Sequence, residues 1–541
     1  MLPTLLAGVA VFWAVFRLLR WGRRESFLPP GPPTVPILGN LFDFPTVYPW
    51  LKSAHLMLTE MARQYGDVYS MKIINSTVVV LSSTTAIREI MDKNSAIVSD
   101  RPASHFAQEI TGGNHMGASR YNDQWRRLRR CAREVLTQSA CRNHLNIQQA
   151  EATQLMYDML TRPEDFFDSI RRFSTSAILS VLYGKRAPRI TTPEVTAFFD
   201  AEHHWEELMQ PGAHPPVDLI PIMKYIPERW ASWKTEVKIT RRLQRKLYFD
   251  LLEQVEARMQ KGSSNGCFME TVIEKGPGFG LDREAVGYIG GNLIEGGADT
   301  TSAFLQTLVL ALVNFPDVQA RAQEELDSVI GGEHSPQPDD IERLPYIQAV
   351  IKETHRWRPV APTTLPHANI EDFSYQDYII PKGTIIFINA WGIFHDPEVF
   401  PKPDEFNPDR WLQDDMKSDR TYDLVFGTAR RVCPGMHIAR NSIEIDAMKL
   451  IWAFKFSKSK DPATKRDKVY DLNDFVKGIL TGPSRFECEI APRSSHHAEV
   501  IRREFLSATQ IFEVFEQQLD SADREFVGKL RRDLADELHL L

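Results

Sequence analysis

The residues best suited to chemistry are one cysteine and one acid–alcohol pair, far apart in the chain. Cys433 lies in Phe426-Gly-Thr-Ala-Arg-Arg-Val-Cys-Pro-Gly435, a loop of small and basic residues followed by a helical pattern from Met436. Proline favours the first position of a helix, so Cys433 is predicted just before a helix N-terminus. Unpaired N–H groups there favour an anion, and a sulfur so placed is readily kept as thiolate. A thiolate can serve as a haem ligand that favours cleavage of the O–O bond; the bland reading is a buried structural cysteine. Asp299 and Thr300, in Gly296-Gly-Ala-Asp-Thr-Thr301, set an acid beside a hydroxyl, as a proton relay requires. Glu353-Thr-His-Arg356 places an acid and a base where they can pair on a helix. Glu60/Arg63 and Glu499/Arg502 share that spacing, so the step alone says little.

Elements must hold these groups in place. Asp282–Asn314 reads as one long helix, with Asp282 as N-cap and Pro316 as terminator. It carries Gly287, Gly290, Gly291, Gly296 and Gly297, and each glycine costs about 1 kcal/mol against alanine in a helix interior. Such glycines fit where something approaches the backbone closely or where the helix opens. The following run, Ala303–Val313, is almost wholly apolar and must be buried. Trp125-Arg-Arg-Leu-Arg129 reads as a basic helix, with Trp125 and Arg129 on one face and Arg126, Arg130 and Arg133 on an adjacent one. A solvated face is the default for such a run. Lys72–Leu81 and Tyr378–Asn389 are rich in β-branched residues and read as strands of a small sheet. If the backbone at Ala429 needs positive φ, alanine adds strain of about 1–2 kcal/mol.

Composition bounds the rest. With 43% hydrophobic and 25% charged residues in 541, a large core is within reach, and one large domain or several would fit. A net charge of −7 argues against nucleic acid as a partner. The five cysteines are scattered without Cys-x-x-Cys spacing, which excludes a zinc site or disulfide framework and suggests a reducing compartment. Residues 1–16 carry no charge, and the apolar run is slightly short of the roughly 20 residues of a membrane span. Arg17, Arg20, Arg23 and Arg24 follow it, opposite to a cleaved signal peptide, so an uncleaved anchor with a cytosolic body is expected. Pro29-Pro-Gly-Pro-Pro33 makes a stiff spacer. Residues 199–234 are apolar yet broken by prolines, so they should be buried or dipped into a bilayer. After Arg493, Ser521 can cap a last helix whose stripe of Phe526, Leu530, Leu534 and Leu538 needs a partner surface.

The cysteine stretch closely resembles the haem-binding loop of the cytochrome P-450 family, Phe-x-x-Gly-x-Arg-x-Cys-x-Gly. Phe426, Arg431, Cys433 and Gly435 match it, while Ala429 stands where the family usually has glycine. The likeness spans residues 28–493, with the motifs in the family's order. It implies a mostly α fold with a minor β region, the cytochrome P-450 fold, preceded by a single N-terminal transmembrane helix. Haem b (iron protoporphyrin IX) would be held by Cys433 as axial iron ligand, with Trp125, Arg129, His367 and Arg431 as further cofactor-binding residues. Asp299 and Thr300 would relay protons. Glu353, Arg356 and Arg410 would form a cluster bracing the cysteine loop, which would cost about 3–5 kcal/mol to break. Cavity-lining stretches would be Ser104–Ala118, Gly290–Asp299, Ala361–Leu365 and Gly478–Thr481.

The implied activity is a monooxygenase that oxidises a lipophilic small molecule with O2 and electrons from NADPH, delivered by NADPH–cytochrome P-450 reductase, a flavoprotein. Basic residues beside Arg129 would dock that reductase, and cytochrome b5 would be a second donor. The implied organisation is an anchor at 1–21, a basic, proline-rich hinge at 22–40, the catalytic domain at 41–493 and a helical extension at 494–541. The implied site is the endoplasmic reticulum membrane, single-pass, with the catalytic domain cytosolic. The nearest subgroup is fungal microsomal enzymes of secondary metabolism, of the O-methylsterigmatocystin oxidoreductase type. The rivals are a haem-thiolate isomerase or dehydratase of the same fold, and a non-catalytic, membrane-anchored haem sensor.

Overall fold

The computed structural model describes residues 12–13, 21–43, 53–210, 212–413, 420–476 and 478–538. Its longer helices are α1 (Ala54–Tyr65), α2 (Asp123–Val135), α3 (Leu145–Thr161), α4 (Phe166–Tyr183), α5 (Pro193–Met209), α6 (Ser232–Gln260), α7 (Arg283–Asn314), α8 (Pro316–Val329), α9 (Pro345–Trp357), α10 (Met436–Ala453), α11 (Ser495–Phe512) and α12 (Ser521–Glu537). Helix α7 is the axis of the molecule. Asp282 caps it by accepting the Ala285 N–H at 2.8 Å, and Pro316 ends it and begins α8. From Phe304 to Val313 every residue is buried, against α4, α6 and α10.

The glycines of α7 divide by what lies beside them. A Cβ on Gly291 would come within 2.4 Å of the Tyr248 ring of α6, and one on Gly297 within 2.6 Å of Ile178 of α4. Gly287 and Gly290 give the same passage to Phe249 and to the Tyr183 hydroxyl. These four let neighbouring helices reach the α7 backbone. A Cβ on Gly296 would meet nothing within 4 Å, because there the helix borders open space.

The β region is small. Strands β1 (Val68–Ile73) and β2 (Ser76–Leu81) pair antiparallel; β2 runs parallel to β6 (Ile385–Ile388), and β6 is antiparallel to β3 (His367–Ala368). One departure from expectation is that Tyr378–Asn389 does not form one strand group. Residues β5 (Tyr378–Ile380) leave to pair with β4 (Phe373–Tyr375), and only β6 joins the larger sheet. Pro381 and Gly383 (φ 82°) separate the two. A further pair, β7 (Phe454–Lys458) and β8 (Cys488–Pro492), follows α10.

The proline-rich stretch is non-helical, and it lies along the free edge of β1. Ser70 donates its N–H to the Pro30 carbonyl at 2.7 Å, and the Lys72 N–H donates to Asn40 Oδ1 at 3.0 Å. The buried Lys72 ammonium pairs with Glu25 at 3.2 Å. This cover satisfies an edge that would otherwise offer unpaired groups.

The expected anchor falls almost wholly outside the described residues. Among the described residues no single helix is long and apolar enough to cross a membrane. Helices α7 and α8 pass such a test only as a pair bent by 105°, and the apolar half of α7 is core. Residues 199–234 are buried only in part. Leu208, Val217 and Trp233 pack with Phe106 and Ile110, while Ile222, Tyr225 and Trp230 are 74%, 85% and 70% exposed.

Candidate functional site

The cysteine loop is shaped by its own backbone. The Cys433 N–H donates to the Phe426 carbonyl at 2.7 Å, and Gly427 and Ala429 both take left-handed angles, φ 82° and 54°. Alanine therefore does sit where glycine would be unstrained. Helix α10 begins three residues after the cysteine, as the Pro434-Gly435 step predicts. Burial pushes the Cys433 thiol up, while the Gly435 N–H and Arg129 work the other way. The helix N-terminus alone thus does not secure a thiolate; a cation at the sulfur would complete it.

A buried ion cluster joins α9 to the turn at 405–411. Glu353 Oε2 accepts from Arg356 Nε and Trp411 Nε1, both at 2.9 Å, and Oε1 accepts from Arg356 Nη2 at 2.9 Å and Arg410 Nε at 3.2 Å. The Asn407 N–H adds a bond at 2.8 Å. Glu353 and Arg356 are both 0% exposed, whereas the equally spaced Glu60 and Arg63 are 53% and 64% exposed. Arg502 does not pair with Glu499 at all but with Glu537 of α12, at 2.9 Å.

Cys433 borders a cavity of about 600 Å³. Pro434, Gly435 and Ile438 share its side, and α7 supplies Asn292, Gly296, Gly297 and Thr300. The Thr300 hydroxyl donates to the Gly296 carbonyl at 2.6 Å, holding it one turn back along the bare stretch of helix. Asp299 is turned off that wall. Its carboxylate meets Glu202 and Glu206 of α5, one ligand oxygen of each lying within 4.8 Å of the others. Burial raises all three carboxyl groups, Glu206 to about 7 with the Asp299 charge as second cause and Arg171 opposing.

On another side, Arg101, Arg129, Arg431 and His367 converge on the cavity. Burial, its largest cause, pulls Arg101 down to about 9, Arg129 to about 10 and Arg431 to about 8. Arginine does not give up its proton in proteins, so these values express unneutralised positive charge. Asp100 offsets this charge only in part, and its oxygens are taken by Arg120 and the Tyr121 N–H. The buried Arg129 Nε has no partner among the described residues. An anionic ligand beside a metal at Cys433 fits this deficit, and haem with its two propionates supplies both.

The individual side chains depart in part from expectation. The Trp125 indole N–H is spent on the Met116 carbonyl at 2.9 Å, and the Arg431 guanidinium lies 4.0 Å over the Trp125 ring. Trp125 enters the site as a platform rather than as a donor. Arg431 itself donates to the carbonyls of Ser99, Met116 and Ser119. His367 is buried, and its Nδ1 lies 3.0 Å from the Val98 carbonyl, so Nδ1 carries the proton and Nε2 is left as an acceptor. Burial and then the nearby Arg101 hold it neutral, well below the ordinary histidine range. Arg129 bonds the Val432 carbonyl beside the cysteine. Arg126, Arg127, Arg130 and Arg133 are exposed.

All four expected lining stretches contribute to the cavity, but two further elements do as well: α4 through Ser174, Ala177 and Ile178, and α5 through Glu202, Trp205 and Glu206. Nothing in their local pattern marks them, since their approach to α7 depends on helix packing. Arg101 was equally silent in sequence. Glu295 offered one signal, an acid next to the glycines of a buried helix.

A family model described as Cytochrome P450 matches residues 29–487. A cytochrome P450 monooxygenase of Armillaria gallica is 42% identical over 93% of this chain and 96% of its own length. The monooxygenases yanC of Aspergillus niger and patI of Penicillium expansum are 36% and 35% identical, over 90% and 95% of this chain and 93% and 98% of theirs.

Proposed function

The chain belongs to the cytochrome P450 family, a haem monooxygenase that oxidises lipophilic substrates with O2 and electrons from NADPH through a reductase, and on that premise we propose how its residues divide the work. The observation that carries the reading is Cys433 and Thr300 bordering one cavity. Haem b, when bound, supplies the one-electron and oxygen chemistry. Cys433 holds the iron as thiolate. Arg101, Arg129 and His367 would hold the propionates, with Arg431, stacked on Trp125, adding positive charge. The Thr300 Oγ1 hydroxyl, held by the Gly296 carbonyl, passes a proton into the cavity. Asp299 resupplies it from the acid cluster, whose Glu206 reaches solvent. The apolar wall around Ile178, Leu293 and Val360 excludes water.

The exposed arginines of α2 form the docking face for the reductase, with cytochrome b5 as a second donor. A role in fungal secondary metabolism fits the fungal relatives. A narrower likeness to O-methylsterigmatocystin oxidoreductase rests on diffuse similarity, including Pro492-Arg493-Ser494 followed by the tail.

Carbon monoxide added to the reduced protein should give a thiolate-type Soret band that Cys433→Ser loses, and a mutant keeping it would refute the ligand. With reductase and substrate, Thr300→Ala should divert oxygen to hydrogen peroxide, proton-relay groups contributing about 10²–10⁴-fold in rate. Full coupling in that variant would move the relay elsewhere.

For the membrane, we propose an endoplasmic reticulum anchor at residues 1–21 with Ile222, Tyr225 and Trp230 as a second, shallow contact. Removing residues 1–24 should lower vesicle flotation while leaving haem in place; undiminished flotation would put the whole attachment elsewhere.

A further inference from the structure

Helices α4 and α5 are joined by an irregular stretch, residues 184–192, which opens with Gly184 at φ 64° and ends where Pro193 starts α5. Loops ordinarily run over the surface, where water satisfies their polar groups. This joint does not: Lys185, Arg186 and Ala187 are 6%, 3% and 0% exposed. Two buried cations in irregular backbone need a reason, since a charge leaves water only at a cost. Part of the cover is the C-terminal extension, which reaches the joint through the stretch between α11 and α12.

The contacts there are mostly polar and directional. The Arg186 N–H donates to the Phe515 carbonyl at 3.1 Å; its guanidinium donates to Glu516 at 2.8 Å and lies 3.4 Å over the Phe512 ring. Arg189 Nε donates to Asp523 Oδ1 at 2.6 Å, and Asp523 is 1% exposed. Gln518 turns to the end of α6: its Nε2 donates to the Gln254 carbonyl at 3.0 Å, and its Oε1 accepts from Arg258 Nη1 at 2.9 Å. Arg258 Nη2 in turn donates to the carbonyl of Tyr183, the last residue of α4, at 2.9 Å. The Lys185 ammonium completes the network, bonding Glu194 in the first turn of α5 and Gln254 Oε1 at 3.1 Å. Apolar packing through Phe505, Ala508 and Leu534 already seats the extension on the core. The polar groups of residues 513–523 go further: they tie the end of α4, the start of α5 and the end of α6 to one point.

The two helices fastened at that point close the cavity. His203, Glu206 and Glu207 of α5 line it and are also exposed, so a single helix separates the cavity from solvent there. Helix α6 packs along α5. Beyond Met209 the chain passes through the short turns Pro221–Tyr225 and Glu228–Trp230, where Ile222, Tyr225 and Trp230 are exposed. One end of the pair is thus pinned by buried charged bonds, and the other rests on a small apolar cluster around Phe106 and Trp233. Helices held in this way open at the weaker end and turn about the pinned one.

We infer that residues 513–523 clamp the joint between α4 and α5 to the end of α6, and that this clamp sets how fast the α5–α6 pair swings off the cavity to admit and release a small molecule. None of Lys185, Arg186, Arg189, Arg258, Gln518 and Asp523 borders the cavity. The clamp therefore acts on the balance between closed and open lid, and a change in that balance reaches entry and exit alike. The inference rests on the haem monooxygenase reading for what enters, a small molecule bound for the iron.

The probe is phenylimidazole, a ligand of ferric haem iron, mixed with the ferric, haem-loaded protein and followed by stopped flow at the Soret band. Gln518→Ala, and Arg189→Gln on the facing side, should each speed association and dissociation by the same factor, about 5- to 10-fold for the loss of one or two hydrogen bonds. The ratio of the two rates, the dissociation constant, should not move. Amide hydrogen exchange should quicken over residues 185–209 and not over α3. Asp523→Asn keeps the size of the side chain and carries the same expectation if either variant loses its fold. Arg502→Gln breaks the pair with Glu537, which joins α11 to α12 away from the joint, and should leave both rates as in the wild type. Unchanged rates in the joint variants, even with a lower melting temperature, would reduce the clamp to a structural contact. Equal acceleration by Arg502→Gln would reduce it to general loosening, and either result overturns the inference. A wild type without a Soret response would sink the haem reading, and hydrogen exchange would still decide the clamp.

Discussion

At the scale of the residue, the acid cluster behind Thr300 is where pH should be felt. Partial burial, then the Asp299 charge, lifts Glu206 to about 7, with Arg171 pulling it down. A carboxyl raised in the folded state binds its proton more tightly there than in the unfolded chain. Its contribution is then fully present below the ordinary glutamate pKa of about 4.3 and is lost as pH rises through about 7. Glutamine does not titrate, so Glu206→Gln should gain thermal stability relative to the wild type as pH goes from about 5 to 8. A melting-temperature difference that stays flat over this range would count against the cluster. The same carboxyl is the solvent end of the proposed proton path, and its ordinary role and its stability cost come from one arrangement: three acids facing each other with a single arginine nearby.

At the scale of the element, α7 shows that glycines of one helix can have opposite reasons. Gly291→Ala would drive a Cβ to 2.4 Å from the Tyr248 ring. Overpacking of that kind costs about 1–3 kcal/mol, which outweighs the roughly 1 kcal/mol alanine returns in helix propensity. Gly296→Ala meets nothing within 4 Å, so it should keep or raise stability while weakening ligand binding, because its methyl enters the cavity. Chemical denaturation of both variants, with a Soret titration of a small ketone such as acetophenone into the ferric, haem-loaded second variant and the wild type, checks the pair. Equal stability of the two would mean that α6 does not approach α7 as described. The Glu353 cluster makes a related point: its geometry lies on α9, but its purpose is fixed by Arg410 and Trp411, which reach it from a distant turn.

At the scale of the whole molecule, the C-terminal extension is part of the body. Phe505 of α11 stacks on Tyr157 of α3 at 4.5 Å, and α3 packs against α10, the helix that follows the cysteine. Arg186, 3% exposed, pairs with Glu151 at 3.0 Å and with Glu516 of the extension at 2.8 Å. Arg531 of α12 holds the other oxygen of Glu516 at 2.7 Å. Glu516→Gln weakens both charged bonds and should destabilise the folded protein by about 1.5–3 kcal/mol, the range for hydrogen bonds to charged groups. If the extension were merely appended, unfolding followed by haem release would not change. The apolar stripe of α12 finds its partner here too, since Leu534 is fully buried and Leu530 and Leu538 pack on the same core.

What the sequence alone determined about this protein was local in its physics. A proline and glycine after Cys433 placed it at a helix start, an aspartate and a proline bounded α7, and runs of β-branched residues found β2, β6 and the end of β1. The family and its haem chemistry were legible for the same reason, because they reside in short motifs. The tertiary structure decided whatever depends on a partner far along the chain. It separated the buried Glu353–Arg356 pair from the identically spaced Glu60–Arg63, which no spacing rule could do. It turned Asp299 away from the cavity that Thr300 borders, committed the Trp125 N–H to Met116, and brought in Arg101, α4 and α5. It also left Asn292 Nδ2 without a partner among the described residues. Periodicity fixes which face of a helix a side chain occupies, but only packing against other elements decides whether that face meets solvent, a neighbouring ring or a cavity.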